Sequence, residues 1–162
     1  MSVVERRLDL LGTGLDWELL PHGRTERAVD EATALALPPH EIAKTIVLHV
    51  DVRGDLSIRP TYARVVLPAS EQVDLHKLRM FFGESRIVRL ATEEELVDAY
   101  PEFELGAVPP FGGHRDVVVV DPRVSEREWT VFEAGTHETS VRMRSADLVA
   151  ACKAAVVDVC RD

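Results

Sequence analysis

The sequence is poor in cysteine, contains no long apolar run and carries no excess of positive charge. Its two cysteines, Cys152 and Cys160, form no C-x-x-C pattern of the kind that binds zinc or performs redox chemistry. Both fall within one predicted helix, whose rise separates them by about 12 Å. That separation is too long for a disulfide, so we expect two reduced thiols.

No stretch approaches the roughly 18 consecutive apolar residues that a membrane-spanning helix requires. Near the N-terminus, Glu5, Arg6 and Arg7 stand where a signal peptide would need its apolar segment. The sequence therefore predicts a cytoplasmic protein with no membrane partner.

The charge balance is acidic, with 19 Lys and Arg against 28 Asp and Glu and a formal net charge of −9. Nucleic-acid-binding domains that rely on a basic surface show the opposite balance, so the sequence argues against that class. Hydrophobic residues make up 46% of the chain and charged residues 29%, as in an ordinary globular protein. At 162 residues, one domain over residues 1–162 is expected.

Strand and helix patterns follow one another irregularly along the chain. β-Branched runs bounded by turn residues predict strands over Trp17–Leu20, Lys44–Val50, Leu56–Leu67, Arg86–Leu90, Val117–Val120, Trp129–Phe132 and Ser140–Met143. Amphipathic spacing and capping residues predict helices over Glu5–Leu11, Glu26–Leu37 (capped by Thr25), Asp74–Phe82, a stretch after Thr92, and Ala146–Cys160. Because strict strand–helix–strand repetition is missing, this order predicts one α+β domain around a mixed sheet.

Searches for familiar catalytic motifs find little. The sequence contains no G-x-S-x-G, no H-E-x-x-H and no complete glycine-rich phosphate loop. Its six histidines share no metal-ligand spacing. We therefore predict no metal ion and no other cofactor.

A loop that is both rigid and apolar precedes the Val117–Val120 strand. Its prolines fix φ and remove donors, while its glycines allow a close approach of the backbone to a ligand. The remaining N–H groups can be held toward a carbonyl oxygen or a developing oxyanion. Composition alone favours the other interpretation, a rigid turn with no ligand, for the residues Gly106, Ala107, Val108, Pro109, Pro110, Phe111 and Gly112.

Lys44 stands at the start of an apolar strand. An ammonium there can reach the mouth of a cleft and hold a phosphate or a carboxylate as a point charge. A solvated lysine at a strand end explains the same pattern, so Lys44 by itself does not indicate a binding site.

The order of these segments is more specific than any one of them. Ala43-Lys44-Thr45-Ile46-Val47-Leu48 is followed by the Gly106–Gly112 loop and then by Ala134-Gly135-Thr136-His137. This ordered set resembles the YbaK/EbsC family, which comprises free-standing aminoacyl-tRNA deacylases and the editing domain inserted in bacterial prolyl-tRNA synthetases. The resemblance covers about residues 15–150. It implies a mixed, mostly antiparallel sheet, curved or barrel-like, with surrounding helices.

The resemblance also implies an activity, namely trans-editing hydrolysis of the ester of a mischarged aminoacyl-tRNA. It assigns catalysis to Lys44. It assigns substrate binding to Thr45, Gly106, Ala107, Val108, Pro109, Pro110, Phe111, Gly112, Gly135 and His137. The segment around His137 is most similar to the branch that acts on small or hydroxylated amino acids. A non-catalytic module that senses an amino acid or a tRNA 3′ end is the alternative.

The implied partners are the 3′ end of aminoacyl-tRNA and an aminoacyl-tRNA synthetase, with a monomer as the default state. An acidic protein can bind such a substrate if it contacts only the terminal nucleotides through a small basic patch. Candidates for that patch are Arg59, Arg64, Lys77 and Arg79, although the residues by themselves favour a merely solvated surface. Residues 53–62 form an insertion relative to the family and leave the pocket wall on that side undefined.

Overall fold

The computed structural model describes residues 2–12, 14–54, 61–113 and 116–162. The helices in these ranges are α1 (Val3–Leu11), α2 (Ala28–Ala34), α3 (Leu75–Phe82), α4 (Glu93–Ala99), α5 (Pro122–Ser125) and α6 (Ser145–Cys152). The strands are β1 (Trp17–Pro21), β2 (Ala43–Val52), β3 (Thr61–Pro68), β4 (Arg86–Leu90), β5 (Val117–Val120), β6 (Trp129–Thr136), β7 (Thr139–Arg144) and β8 (Ala155–Val156). No helix among the described residues is long and apolar enough to cross a membrane.

The strands form two open sheets. A three-stranded antiparallel sheet has the order β1-β7-β6, and a five-stranded mixed sheet has the order β4-β2-β3-β5-β8. In the larger sheet β2 pairs antiparallel with β3 and β4, while β5 pairs parallel with β3 and β8. The predicted α+β fold with a mixed sheet is therefore confirmed, and the sheets are not closed into a barrel.

An isolated parallel bridge between Ile42, just before β2, and Val131 of β6 joins the two sheets. Beyond this bridge β2 pairs with β4 over its second half, so β2 and β6 separate. The separation leaves a gap between them, and this gap positions the candidate site.

Apolar side chains cover both faces of the joined sheets because successive residues of a strand point to opposite sides. On one face, α1 and α6 pack through Val4, Leu8 and Leu148 onto Val66 and Phe132. On the other face, Ala32 of α2 packs on the Ile42–Val131 bridge, and Leu78 of α3 packs on Leu48 and Leu67.

Two predicted helix boundaries are wrong. The last helix ends at Cys152, because Lys153 adopts the left-handed conformation with φ of +48° and the chain then pairs with β5 as β8. Cys152 and Cys160 thus do not share a helix, although both are free thiols. The second helix begins at Ala28 with Arg27 at its N-cap, and Thr25 does not cap it because its hydroxyl donates to the carbonyl oxygen of His137 at 3.5 Å.

Arg64 of β3 is buried, with 1% of its surface exposed, and it fixes the apolar loop in place. Its guanidinium donates to the Asp116 carboxylate at 2.8 Å, to the carbonyl oxygen of Pro109 at 2.8 Å and to that of Gly112 at 2.6 Å. Tyr100 donates to the same carboxylate at 2.6 Å. One planar group with several donors thus joins β3, the loop and the start of β5.

This burial corrects the predicted basic patch. Arg64 is structural and does not face solvent. Lys77 donates to Asp158 at 3.1 Å and to Asp162 at 2.9 Å, so acidic partners surround its charge. Arg59 and most of the 53–62 insertion lie outside the described residues, and Arg79 alone of the four remains an exposed described cation.

We predict that Arg64→Lys lowers the free energy of unfolding by about 3 kcal/mol. Lysine cannot reproduce the forked contacts, so Asp116 and two buried carbonyl groups lose partners. Urea denaturation followed by circular dichroism measures the change. Arg27→Lys, at the exposed Arg27–Asp30 pair, is the control and leaves the midpoint unchanged. Equal midpoints for both variants would contradict this account of Arg64.

Candidate functional site

Lys44 and Glu133 lie on the two sides of the gap between β2 and β6. Each is two residues beyond the bridge that joins Ile42 to Val131. Side chains two residues apart on a strand point to the same face of the sheet. The side chain of Lys44 therefore points to the same face as that of Ile42, and the side chain of Glu133 to the same face as that of Val131. Ile42 and Val131 belong to one buried cluster under α2, so Lys44 and Glu133 open toward the same side of the protein.

Lys44 is half-buried at this position. Burial lowers the pKa of its ammonium, and the nearby acidic groups of Cys160 and Glu71 partly offset this effect. Reduced solvation strengthens the attraction between a cation and an anionic ligand. Lys44 is thus placed to hold a phosphate or another anion at the edge of the gap.

Thr45 points its side chain the other way, with Ala43 and Val47, toward the apolar loop. Ala43 shares a buried cluster with Phe111, and Val47 shares one with Val108. The backbone of Thr45 faces the gap, because Val47, two residues on, accepts the N–H of Ala91 at that edge of β2. Its N–H is a donor aimed between the two strands.

Of the predicted site residues, Gly106 and His137 are in contact, and Gly135 lies two residues before His137 in the same hairpin. The ring Nε2 of His137 donates to the carbonyl oxygen of Leu105 at 2.7 Å. A Cβ on Gly106 would lie 3.5 Å from that ring, and φ of +86° there favours glycine. A Cβ on Gly135 would lie 2.7 Å from the Phe103 ring, so only glycine fits beside it.

The rest of the loop runs away from the gap. Val108 packs with Val47 and Tyr100 in a small buried cluster. Ala107, the preceding residue, is also buried. Pro109 and Gly112 present their carbonyl oxygens to Arg64. Pro110 and Phe111 line a separate cavity beneath α1. The predicted loop therefore contributes Gly106 directly to the gap, while its later residues anchor it.

Glu133 and His137 form a buried acid–base pair that the sequence analysis missed. The Oε2 atom of Glu133 lies 3.0 Å from Nδ1 of His137, and both atoms are otherwise unpartnered among the described residues. Because the Leu105 carbonyl oxygen only accepts, Nε2 must carry a hydrogen. In a neutral ring Nδ1 is then an acceptor, so its contact with a carboxyl oxygen needs one shared proton.

The electrostatic surroundings of Glu133 favour a pair that holds this proton. Burial first, and then the neighbouring carboxylates Glu31, Glu104 and Glu26, together raise the pKa of Glu133 to about 8. A carboxyl group with such a pKa exchanges its proton near neutral pH, as a general acid or base requires. The signal in the sequence was a glutamate within the apolar run of β6, immediately before the Ala-Gly-Thr-His segment.

A second buried carboxyl group, Glu31 of α2, lies behind Glu133. Ser140 donates to Glu31, and Nε2 of His22 lies 2.9 Å from the same hydroxyl oxygen. Burial raises the pKa of Glu31 to about 7, and the hydrogen bond from Ser140 opposes that rise. His22 was noted in the sequence only for its position before α2, and Glu31 was not singled out.

Metal ligands do not cluster in the part of the chain that the structure describes, where no group of three or more His, Cys, Asp and Glu residues could hold an ion.

The fold is that of a small α+β protein with two open sheets, and the candidate site lies between them. A family model described as the aminoacyl-tRNA editing domain matches residues 22–151, which is most of the chain. The chain belongs to this family, and the resemblance seen in the sequence is confirmed. None of the curated proteins matches the sequence.

Solved structures show the same fold. Hypothetical protein APE2540 has a TM-score of 0.83 and 26% identity, with 99% of this chain and 100% of that chain covered. A "putative trans-editing enzyme for prolyl tRNA synthetase" has a TM-score of 0.80 and 22% identity, with 100% and 99% covered. A "putative signal transduction protein" from Marinobacter aquaeolei VT8 has a TM-score of 0.65 and 20% identity, with 99% of this chain but 30% of that one covered.

We predict that Glu133→Gln stabilises the protein, and that the gain grows with pH. The unfolded carboxyl group releases its proton near pH 4.5, whereas the folded one holds it up to about pH 8. The free energy of unfolding of the wild type therefore decreases as the pH rises from 4.5 to about 8. Glutamine cannot ionise, so the variant does not show this decrease. Unfolding in urea at pH 5 and pH 8 should show a gain larger by about 2–4 kcal/mol at pH 8.

The matched control is Glu138→Gln, at an exposed residue of the same hairpin. Its stability difference from the wild type should be equal at both pH values. A gain for Glu133→Gln that does not depend on pH would show that Glu133 ionises normally in the folded protein.

Proposed function

We propose that this protein is a trans-editing deacylase that hydrolyses the ester of a mischarged aminoacyl-tRNA carrying a small or hydroxylated amino acid. The observation that carries the proposal is the gap itself. In a chain of the editing-domain family, the gap has a cation, Lys44, on one strand and a proton-sharing pair, Glu133 and His137, on the other. The reaction needs an anchor for the nucleotide and a proton acceptor for water, and these residues can supply both.

In this proposal Lys44 holds the phosphate of the terminal nucleotide, and the ester lies across the gap. The N–H of Thr45 donates to the ester carbonyl oxygen, whose negative charge grows as water adds. A donor already in place when that charge develops stabilises the transition state without further rearrangement. Gly106 and Gly135 leave room for the chain of atoms that joins ribose to amino acid.

The Glu133–His137 pair, in its deprotonated form, takes a proton from the attacking water. The water oxygen bonds to the ester carbon, and the bond from that carbon to the ribose oxygen then breaks. The pair returns the proton to the ribose oxygen, so it ends in its starting state. The pKa of Glu133 is close to neutral pH, which suits both proton transfers, because the same group must accept and then release the proton.

The crowding around the pair supports a small amino acid as substrate. The Phe103 ring fills the space above Gly135, and the His137 ring fills the space beside Gly106. A large side chain would have to displace one of these rings. The carboxyl groups of Glu133 and Glu31 add polar partners that suit a hydroxyl group.

The reaction implies an aminoacyl-tRNA synthetase, the source of the mischarged product, as a partner. A cytoplasmic location, where such esters form, stays a prediction, as do a monomeric state and independence from metals or cofactors. A binding module without turnover is the competing function.

A panel of purified aminoacyl-tRNAs separates turnover from binding. Each ester is incubated with the protein, and the loss of radiolabelled amino acid is followed against spontaneous hydrolysis. We expect one or two esters of small amino acids to be hydrolysed. If the protein binds an aminoacyl-tRNA of the panel but hydrolyses none of them, the result would favour the non-catalytic binding module.

We predict that Lys44→Ala lowers kcat/KM for the hydrolysed ester by at least about 100-fold, because the terminal phosphate loses its anchor. The far-ultraviolet circular dichroism spectrum should stay unchanged. Lys77→Ala is the matched control, because Lys77 lies on α3 and pairs with acidic residues near the C-terminus. Full activity of the Lys44 variant would overturn the proposed role of this residue.

A further inference from the structure

A cavity of about 710 Å³ lies between α1, the end of α6 and the second half of the Gly106–Gly113 loop. Its wall includes Pro110, Phe111 and Gly112 of that loop. The cavity is distinct from the gap, because Lys44, Glu133 and His137 do not line it.

Three cations stand around this cavity, namely Arg6 and Arg7 of α1 and Lys153 after α6. All three are exposed, and no described acidic side chain forms an ion pair with any of them. Asp116 also lines the cavity, but its carboxylate accepts from the buried Arg64. The described residues of the cavity rim therefore carry a net positive charge.

A positive rim is unusual on this chain, whose formal net charge is −9. An anionic ligand is repelled by most of such a surface and attracted where cations gather without acidic neighbours. Apolar side chains also line the cavity, including the exposed Leu10 at 80% and Val117 at 47%. The combination suits a ligand with alternating anionic and apolar parts, such as a chain of sugars and phosphates.

The loop connects this cavity to the gap. Its last residues form the cavity wall, and Gly106 at its beginning touches the ring of His137. Arg64 holds the later residues rigidly, through Pro109 and Gly112, so the distance between the two sites is fixed.

We propose that this cavity binds the sugar–phosphate backbone of the tRNA acceptor end while the ester occupies the gap. Arg6, Arg7 and Lys153 contact phosphates, and Leu10 and Val117 contact the sugars. The inference rests on the proposed function for its ligand. It places the sugar–phosphate backbone on the face that carries α1, so the bound strand crosses the gap to reach Lys44, which opens toward the face that carries α2.

The test compares two variants of equal charge. The first carries Arg6→Gln, Arg7→Gln and Lys153→Gln. The control carries Arg53→Gln, Arg79→Gln and Arg86→Gln, which removes three cations from the β4 and α3 side. Binding of uncharged tRNA to each is measured by fluorescence anisotropy over a series of salt concentrations, so the result does not depend on turnover.

We expect the first variant to bind tRNA at least tenfold more weakly than the control at about 0.1 M salt. The slope of log K against log salt should also fall by about 2–3, as for the loss of two or three phosphate contacts. Equal binding by the two variants would overturn the proposal, because net charge alone would then explain the affinity. Equally strong competition by inorganic phosphate and by tRNA, at matched phosphate concentration, would also overturn it in favour of a simple anion site.

Hydrolysis distinguishes this surface from the catalytic gap. With full-length aminoacyl-tRNA, the first variant should show a raised KM and an unchanged kcat. With the same amino acid esterified to adenosine, it should match the wild type. Equal loss on both substrates would overturn the proposal by placing the effect in the gap. If the wild type hydrolyses neither ester, the proposed function fails, while the binding comparison still decides the tRNA surface.

Discussion

The buried guanidinium of Arg64 is the contact on which the rest of the site depends. It pairs with Asp116 and donates to the carbonyl groups of Pro109 and Gly112, so the loop has one position relative to β3. That position brings Gly106 against the ring of His137. A loop rich in glycine and proline would otherwise be held by few contacts, because glycine adds conformational freedom and proline lacks a donor.

The second constraint is the separation of β2 from β6 after one bridge. Continued pairing would bury the edges of both strands, whereas separation leaves backbone donors and two buried carboxyl groups around a gap. Burial of Glu133 and Glu31 opposes folding at neutral pH, since both have raised pKa values. A site that lowers stability in this way is typical of residues kept for function.

Sequence patterns predicted the elements well wherever local chemistry decides them. The Thr92 capping box and the β-branched runs of β2 and β5 lie where expected. The patterns misplaced the last helix, because pairing of β8 with β5 ends it at Cys152. They also predicted that Arg64 lies on the surface. Burial of this arginine depends on Asp116 and the loop, which lie about 50 residues away in the sequence. The Glu133–His137 pair was missed for a different reason: its two residues are only four apart, and the bulged end of the hairpin, which strand alternation does not predict, brings them together.

The dependence of kcat/KM on pH tests the acid–base pair most directly. The wild type should show activity that rises with pH and levels off, with a midpoint near pH 8, after spontaneous hydrolysis is subtracted. Glu133→Gln should lose about 100-fold or more and show no such midpoint. A Glu133→Gln variant that keeps both the rate and the pH profile of the wild type would contradict the account.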